Sequence, residues 1–109
     1  MVEDCICCDW TIEEGSTEQT IYTTNGLCAV LSGKVKYCTA SSSSSTDEAP
    51  RFITVEFLRG SKVIDSKKVL FGSCLAFTVA KIDHIKIKSN NSKFTVSGDF
   101  CINTNYAIH

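Results

Sequence analysis

The chain has 109 residues, enough for one domain with a single core. Eleven Lys and Arg balance twelve Asp and Glu, for a formal net charge of −1, so neither a basic surface for nucleic acid nor an acidic tail is indicated. Hydrophobic residues make up 43% and charged residues 21%, as in ordinary globular domains, and no apolar run approaches the roughly 20 residues that cross a bilayer.

Glu3 and Asp4 stand where a secretory signal would be basic, so synthesis in a reducing compartment without a classical export signal is expected. Seven cysteines are unusual for such a chain, and an odd number leaves at least one thiol without a partner in the monomer. Either several are small buried hydrophobes or the protein ends in a more oxidising place.

Cys5, Cys7 and Cys8 fall within four positions of the N-terminal stretch. Cys8–Ile12 reads as a first strand, with Trp10 and Ile12 on one face. Gln19–Thr23 is a second, closed by the turn signal Asn25-Gly26. Leu27–Cys38 is a longer extended stretch that Ser32-Gly33 is expected to interrupt. Thr39–Pro50, with serines at 41–45, reads as a solvated surface loop within one domain.

Arg51–Arg59 alternates, with Ile53, Val55 and Phe57 inward and Thr54 and Glu56 outward. Gly60-Ser61 turns the chain into Lys62–Phe71, whose polar middle suggests an edge strand. Gly72-Ser73 leads into Cys74–Ala80, with Leu75, Phe77 and Val79 on one face. Ile85 and Ile87 alternate with His84, Lys86 and Lys88. After the polar turn Ser89–Ser92, the last strand starts at Phe94–Val96 and resumes after Gly98, with Phe100 and Ile102 on one face and Cys101 on the other. No helical periodicity competes. About eight short strands with regular turns mean an antiparallel sandwich, jelly roll or immunoglobulin-like.

Little of this is catalytic. Asp83 and His84 are strand neighbours facing opposite ways and make no dyad. Cys5-x-x-Cys8 has redox or zinc spacing, but no helix follows to activate a thiol, and the other cysteines and two histidines are scattered. Neither a metal nor another cofactor is expected. Asn90-Asn91-Ser92 matches a glycosylation sequon that has no use without export. Disulfide use fits better. Adjacent extended residues such as Cys7 and Cys8 point to opposite sides, and Cys101, on a polar face, invites an intermolecular bond. Cys28, Cys38 and Cys74 read as small semi-buried residues, with Cys28 to Cys38 as a local bridge option.

Three segments together carry a resemblance. They are Cys8-Asp9-Trp10-Thr11, then Gly72-Ser73-Cys74-Leu75-Ala76-Phe77-Thr78-Val79 running on to Asp83-His84-Ile85-Lys86-Ile87, and Gly98-Asp99-Phe100-Cys101-Ile102 ahead of Tyr106. In this order they resemble the subunits of bacterial endospore appendages, the Ena pilus family of spore-forming bacilli. The resemblance implies an all-β, eight-stranded jelly-roll sandwich over residues 8–109, preceded by a short flexible connector at 1–7, with 39–50 as a surface insertion. It further implies a non-enzymatic subunit that assembles with copies of itself into a spore-surface fibre. Lateral contacts would come from β-augmentation, and disulfides would join stacked rings or helical turns.

By position, Cys5 and Cys7 match connector cysteines, and Cys8 and Cys101 match their acceptors; alternatively Cys7-Cys8 is the connector pair. Cys28, Cys38 and Cys74 receive no role. Seven residues before Cys8 reach at most about 25 Å, which favours stacked rings. Spore-coat anchor and fibre-tip proteins are further implied partners, with no nucleic acid and no membrane. Two other functions remain open: a non-polymerising anchor, cap or adaptor of the same fold, and a small zinc or thiol-redox protein.

Overall fold

The computed structural model describes residues 2–23, 30–43 and 48–106, with the backbone alone for 2–7 and 104–106. Its strands are β1 (Val2–Ile12), β2 (Glu18–Thr23), β3 (Val30–Lys36), β4 (Thr39–Ser41), β5 (Phe52–Arg59), β6 (Lys62–Leu70), β7 (Cys74–Val79), β8 (His84–Ser89) and β9 (Thr95–Tyr106). One sheet runs β1-β9-β3-β7, with β4 also paired to β9, and the other runs β2-β8-β5-β6. All pairings are antiparallel. With the three-residue β4 set aside, this is the two-sheet strand order of a jelly roll.

Alternation builds the core. Ile53, Val55 and Phe57 of β5 and Ile85 and Ile87 of β8 are fully buried. They face Leu31 and Val35 of β3 and Phe100 and Ile102 of β9 across the sandwich. Trp10 closes one end: its indole N–H donates to the Lys36 carbonyl at 3.0 Å, and its ring lies 6.2 Å from that of Tyr37. The Tyr37 hydroxyl in turn donates to the Pro50 carbonyl at 2.8 Å, so both buried polar tips are satisfied.

Four expectations change. Residues 2–7 continue β1 instead of standing apart as a flexible arm, because β9 runs on to Tyr106 and offers them a backbone ladder. Gly33 does not interrupt its strand. A Cβ there would stand 2.1 Å from the Cys101 carbonyl oxygen, so glycine allows β3 to lie against β9 without a break. Gly98 does not interrupt β9 either; it is the register partner of Trp10, and a Cβ would stand 1.9 Å from the Lys36 carbonyl oxygen.

The start of the serine-rich segment is the fourth. Thr39–Ser41 pairs with Thr95–Ser97, taking over the flank of β9 that β3 leaves. The Ser43 backbone N–H and hydroxyl then both donate to the Glu14 carboxylate, at 2.8 and 3.0 Å.

Candidate assembly face

β9 is the axis of the site. Because Phe100 and Ile102 are buried at 7% and 1% exposure, alternation turns Cys101 to the outer face of its sheet, where it is half-buried and a free thiol. Its register partner is Cys7 on the β1 side and Lys34 on the β3 side. One row further along, Asp9 pairs with Asp99, and Lys36 with Cys74. Cys101, Lys34, Lys36, Asp99 and Phe100 line an open depression of about 200 Å³. Lys34 and Lys36 are exposed, and among the described residues neither belongs to an ion pair.

Asp9 and Asp99 share a hydrogen bond across the strand boundary. That bond, then the charge of Asp99, then burial raise the Asp9 carboxyl above its ordinary value. Across the face, carboxylates therefore stand on β1 and β9 and ammonium groups on β3.

The thiols divide around this frame. Cys8 is exposed and free, but it is in register with Phe100 and so lies on the opposite side of the sheet from Cys101. Cys38 and Cys74, expected to be semi-buried, are exposed and free. Cys74 sits at the first position of β7, and Cys38 lies just past the end of β3, where its backbone N–H donates to the Ser97 carbonyl. Cys28, and with it the Cys28–Cys38 bridge, lies outside the described residues. Cys5 is in register with Asn103.

At the other end of the molecule, Asp83 precedes β8, so strand alternation does not separate it from His84. Its carboxylate lies 2.5 Å from His84 Nδ1 and accepts the Gly60 backbone N–H at 2.9 Å. The hydrogen bond to His84 is the main reason the Asp83 carboxyl is held below its ordinary value. The expected absence of this pairing is thus corrected. It braces the β5–β6 turn, with Arg59 Nε donating to the Lys81 carbonyl at 2.8 Å beside it.

A family model described as endospore appendages (Enas) matches residues 1–108. The chain belongs to the endospore appendage family. Among solved structures, a protein from work titled "Bacillus endospore appendages form a novel family of disulfide-linked pili" aligns with a TM-score of 0.69 at 24% identity. That alignment covers 97% of this chain and 88% of that one. The mitogen derived from Yersinia pseudotuberculosis aligns at a TM-score of 0.48 and 14% identity, covering 99% and 90% of the two chains. No curated protein matches.

Membership in the appendage family makes this a structural protein of spore-surface fibres. Sequence reading placed Cys101 outward but missed the lysines beside it. The available signal was Lys34-x-Lys36, two cations on one face of a strand whose other face is apolar.

Proposed function

We propose that this endospore appendage protein is a self-assembling fibre subunit, synthesised in the mother-cell cytoplasm and cross-linked through disulfides after assembly. In this reading residues 1–7 act as the connector, Cys5 and Cys7 supply the travelling thiols, and Cys8 and Cys101 of neighbouring copies receive them. The observation that carries it is Cys101: a free thiol on the outer face of a central strand, in a family of fibre-forming proteins.

The topology supports a connector that can leave its own subunit. Among the described residues, 2–7 pair with β9 alone, whereas β9 over Phe100–Asn105 is also held by β3 over Val30–Val35. Peeling the arm therefore leaves β9 anchored. Lateral growth by β-augmentation is supported by the edge positions of β7, β2 and β6. β6 in addition exposes Val63, Ile64 and Leu70. A head-to-tail contact of this kind closes into a ring or runs on as a filament. Coat anchors and fibre-tip proteins would terminate it.

Negative-stain electron microscopy with non-reducing electrophoresis tests the reading. Wild type should give fibres or stacked rings and a ladder that collapses on reduction, and Cys5→Ala/Cys7→Ala should lose the ladder. Monomers unaffected by reductant would refute it, and discrete small oligomers would favour the anchor or adaptor function.

A further inference from the structure

The depression beside Cys101 holds two lysines that belong to no ion pair among the described residues. Lys34 and Lys36 project from β3 on one side, uncommitted to any ion pair among the described residues. On the other side stand Asp9 and Asp99, already engaged with each other. A ligand entering this site meets Lys34 and Lys36 on β3 and Cys101 and Asp99 on β9, with Asp9 beyond Asp99 on β1.

The connector carries the complementary charge. Glu3 and Asp4 immediately precede Cys5, and no basic residue occurs before Lys34. In an extended segment Glu3 and Cys5 lie on one side, about 6.7 Å apart. On the sheet, Lys34 is directly opposite Cys101 and Lys36 is the diagonal neighbour, at roughly 7–8 Å. The acid-to-thiol spacing of the arm thus matches the cation-to-thiol spacing of the depression.

We infer that Lys34 and Lys36 form a recognition site for the acidic Glu3-Asp4 segment of a second copy, steering its Cys5 onto Cys101. The inference rests on the fibre reading and adds to it the residues that select the partner thiol. Lys34 and Lys36 are positioning residues. They attract the arm and fix its register, while Asp9 and Asp99 repel an arm displaced toward β1. The bond then forms by thiol–disulfide exchange with a low-molecular-weight disulfide. The Cys5 thiolate displaces one thiol from that oxidant, and the Cys101 thiolate attacks the Cys5 sulfur of the mixed disulfide and releases the second. One interchain disulfide is made, and one small disulfide is reduced to two thiols.

Full-length protein in a glutathione disulfide buffer tests this by the initial rate of interchain dimer formation on non-reducing gels. Peptide mapping would identify the bonded cysteines, and circular dichroism would confirm folding. The Lys34→Glu/Lys36→Glu variant should react about tenfold more slowly than wild type at low salt, and the gap should close at 1 M salt. Combining it with Glu3→Lys/Asp4→Lys should restore the rate and the Cys5–Cys101 bond, a rescue that simple damage to the sheet would not allow. Equal rates in all variants, or no rescue in the charge swap, would overturn the inference while leaving the fibre reading intact. A wild type that forms no reducible interchain species would overturn both.

Discussion

The outer faces of the two sheets solve different problems with similar residues. On the sheet of β2, β8, β5 and β6, charges find partners at home. Lys86 pairs with Glu18 at 3.3 Å, Lys88 with Glu56 at 3.2 Å, and Lys67 with Asp65 at 3.6 Å. The Lys68 ammonium lies 4.4 Å over the Phe52 ring. None of these four strands contains a cysteine. On the sheet of β1, β9, β3 and β7, Lys34 and Lys36 belong to no ion pair among the described residues, Asp9 and Asp99 share a hydrogen bond, and every cysteine of the described strands is found. On the first face these lysines have partners within the subunit. On the second, Lys34 and Lys36 have none among the ion pairs of the described residues, and the proposed fibre would supply them.

The sharpest way to break that contrast is to remove the thiol at its centre. Cys101→Ser should thin the reducible ladder on non-reducing gels to what the Cys8 acceptor alone supports, while leaving the melting temperature near wild type, because the side chain lies outside the core. An undiminished ladder would move the acceptor role elsewhere on the face. Next in size is the backbone that presents the thiol. Gly98→Ala sets a methyl against the Lys36 carbonyl and crowds the Trp10 indole. It should cost about 3 kcal/mol, a fall of roughly 10–20 °C in thermal melting. By comparison, Glu56→Gln breaks a partly exposed ion pair on the first face. It should change stability by less than about 1 kcal/mol and leave the ladder untouched.

Much of this division could be seen in the sequence, and the part that could not has a physical cause. Alternation is local, so β5, β8 and the inward faces of β3 and β9 were readable from Ile53-Val55-Phe57, Ile85-Ile87, Leu31-Val35 and Phe100-Ile102. Strand order is not local; the jelly roll came from the resemblance, and its pairings from the structure. Both misread glycines, Gly33 and Gly98, look like breaks in a one-dimensional pattern because the atoms that demand them belong to other strands. The same holds for the site: Cys101 could be placed outward by parity, but its neighbours Lys34 and Asp99–Asp9 meet it only through register. Cys38 and Cys74 were misjudged because a cysteine at a strand end can be exposed or covered, and sequence parity does not say which.

The smallest expected effect is a difference in sign. Asp9 has a raised carboxyl pKa in the folded chain, so its contribution is favourable where it keeps its proton and is lost as pH rises through that raised value. The hydrogen bond to Asp99 and the charge of Asp99 both favour the protonated form of Asp9, so the ionised form is the less favourable one in the folded chain. Asp9→Asn should therefore melt at or slightly above wild type at pH 7, and this gain should shrink or reverse below about pH 4. Asp83 is the opposite case. His84 and the Gly60 N–H favour its ionised form, so its contribution is present at neutral pH and is lost as pH falls through its lowered value. Asp83→Asn should melt below wild type at pH 7 and converge on it in acid. Relative to wild type, the Asp9 variant should therefore lose melting temperature as pH falls while the Asp83 variant recovers it. Parallel curves would mean that the Asp9–Asp99 contact carries no repulsion, and the thiol-bearing face would then be as electrostatically settled as the other one.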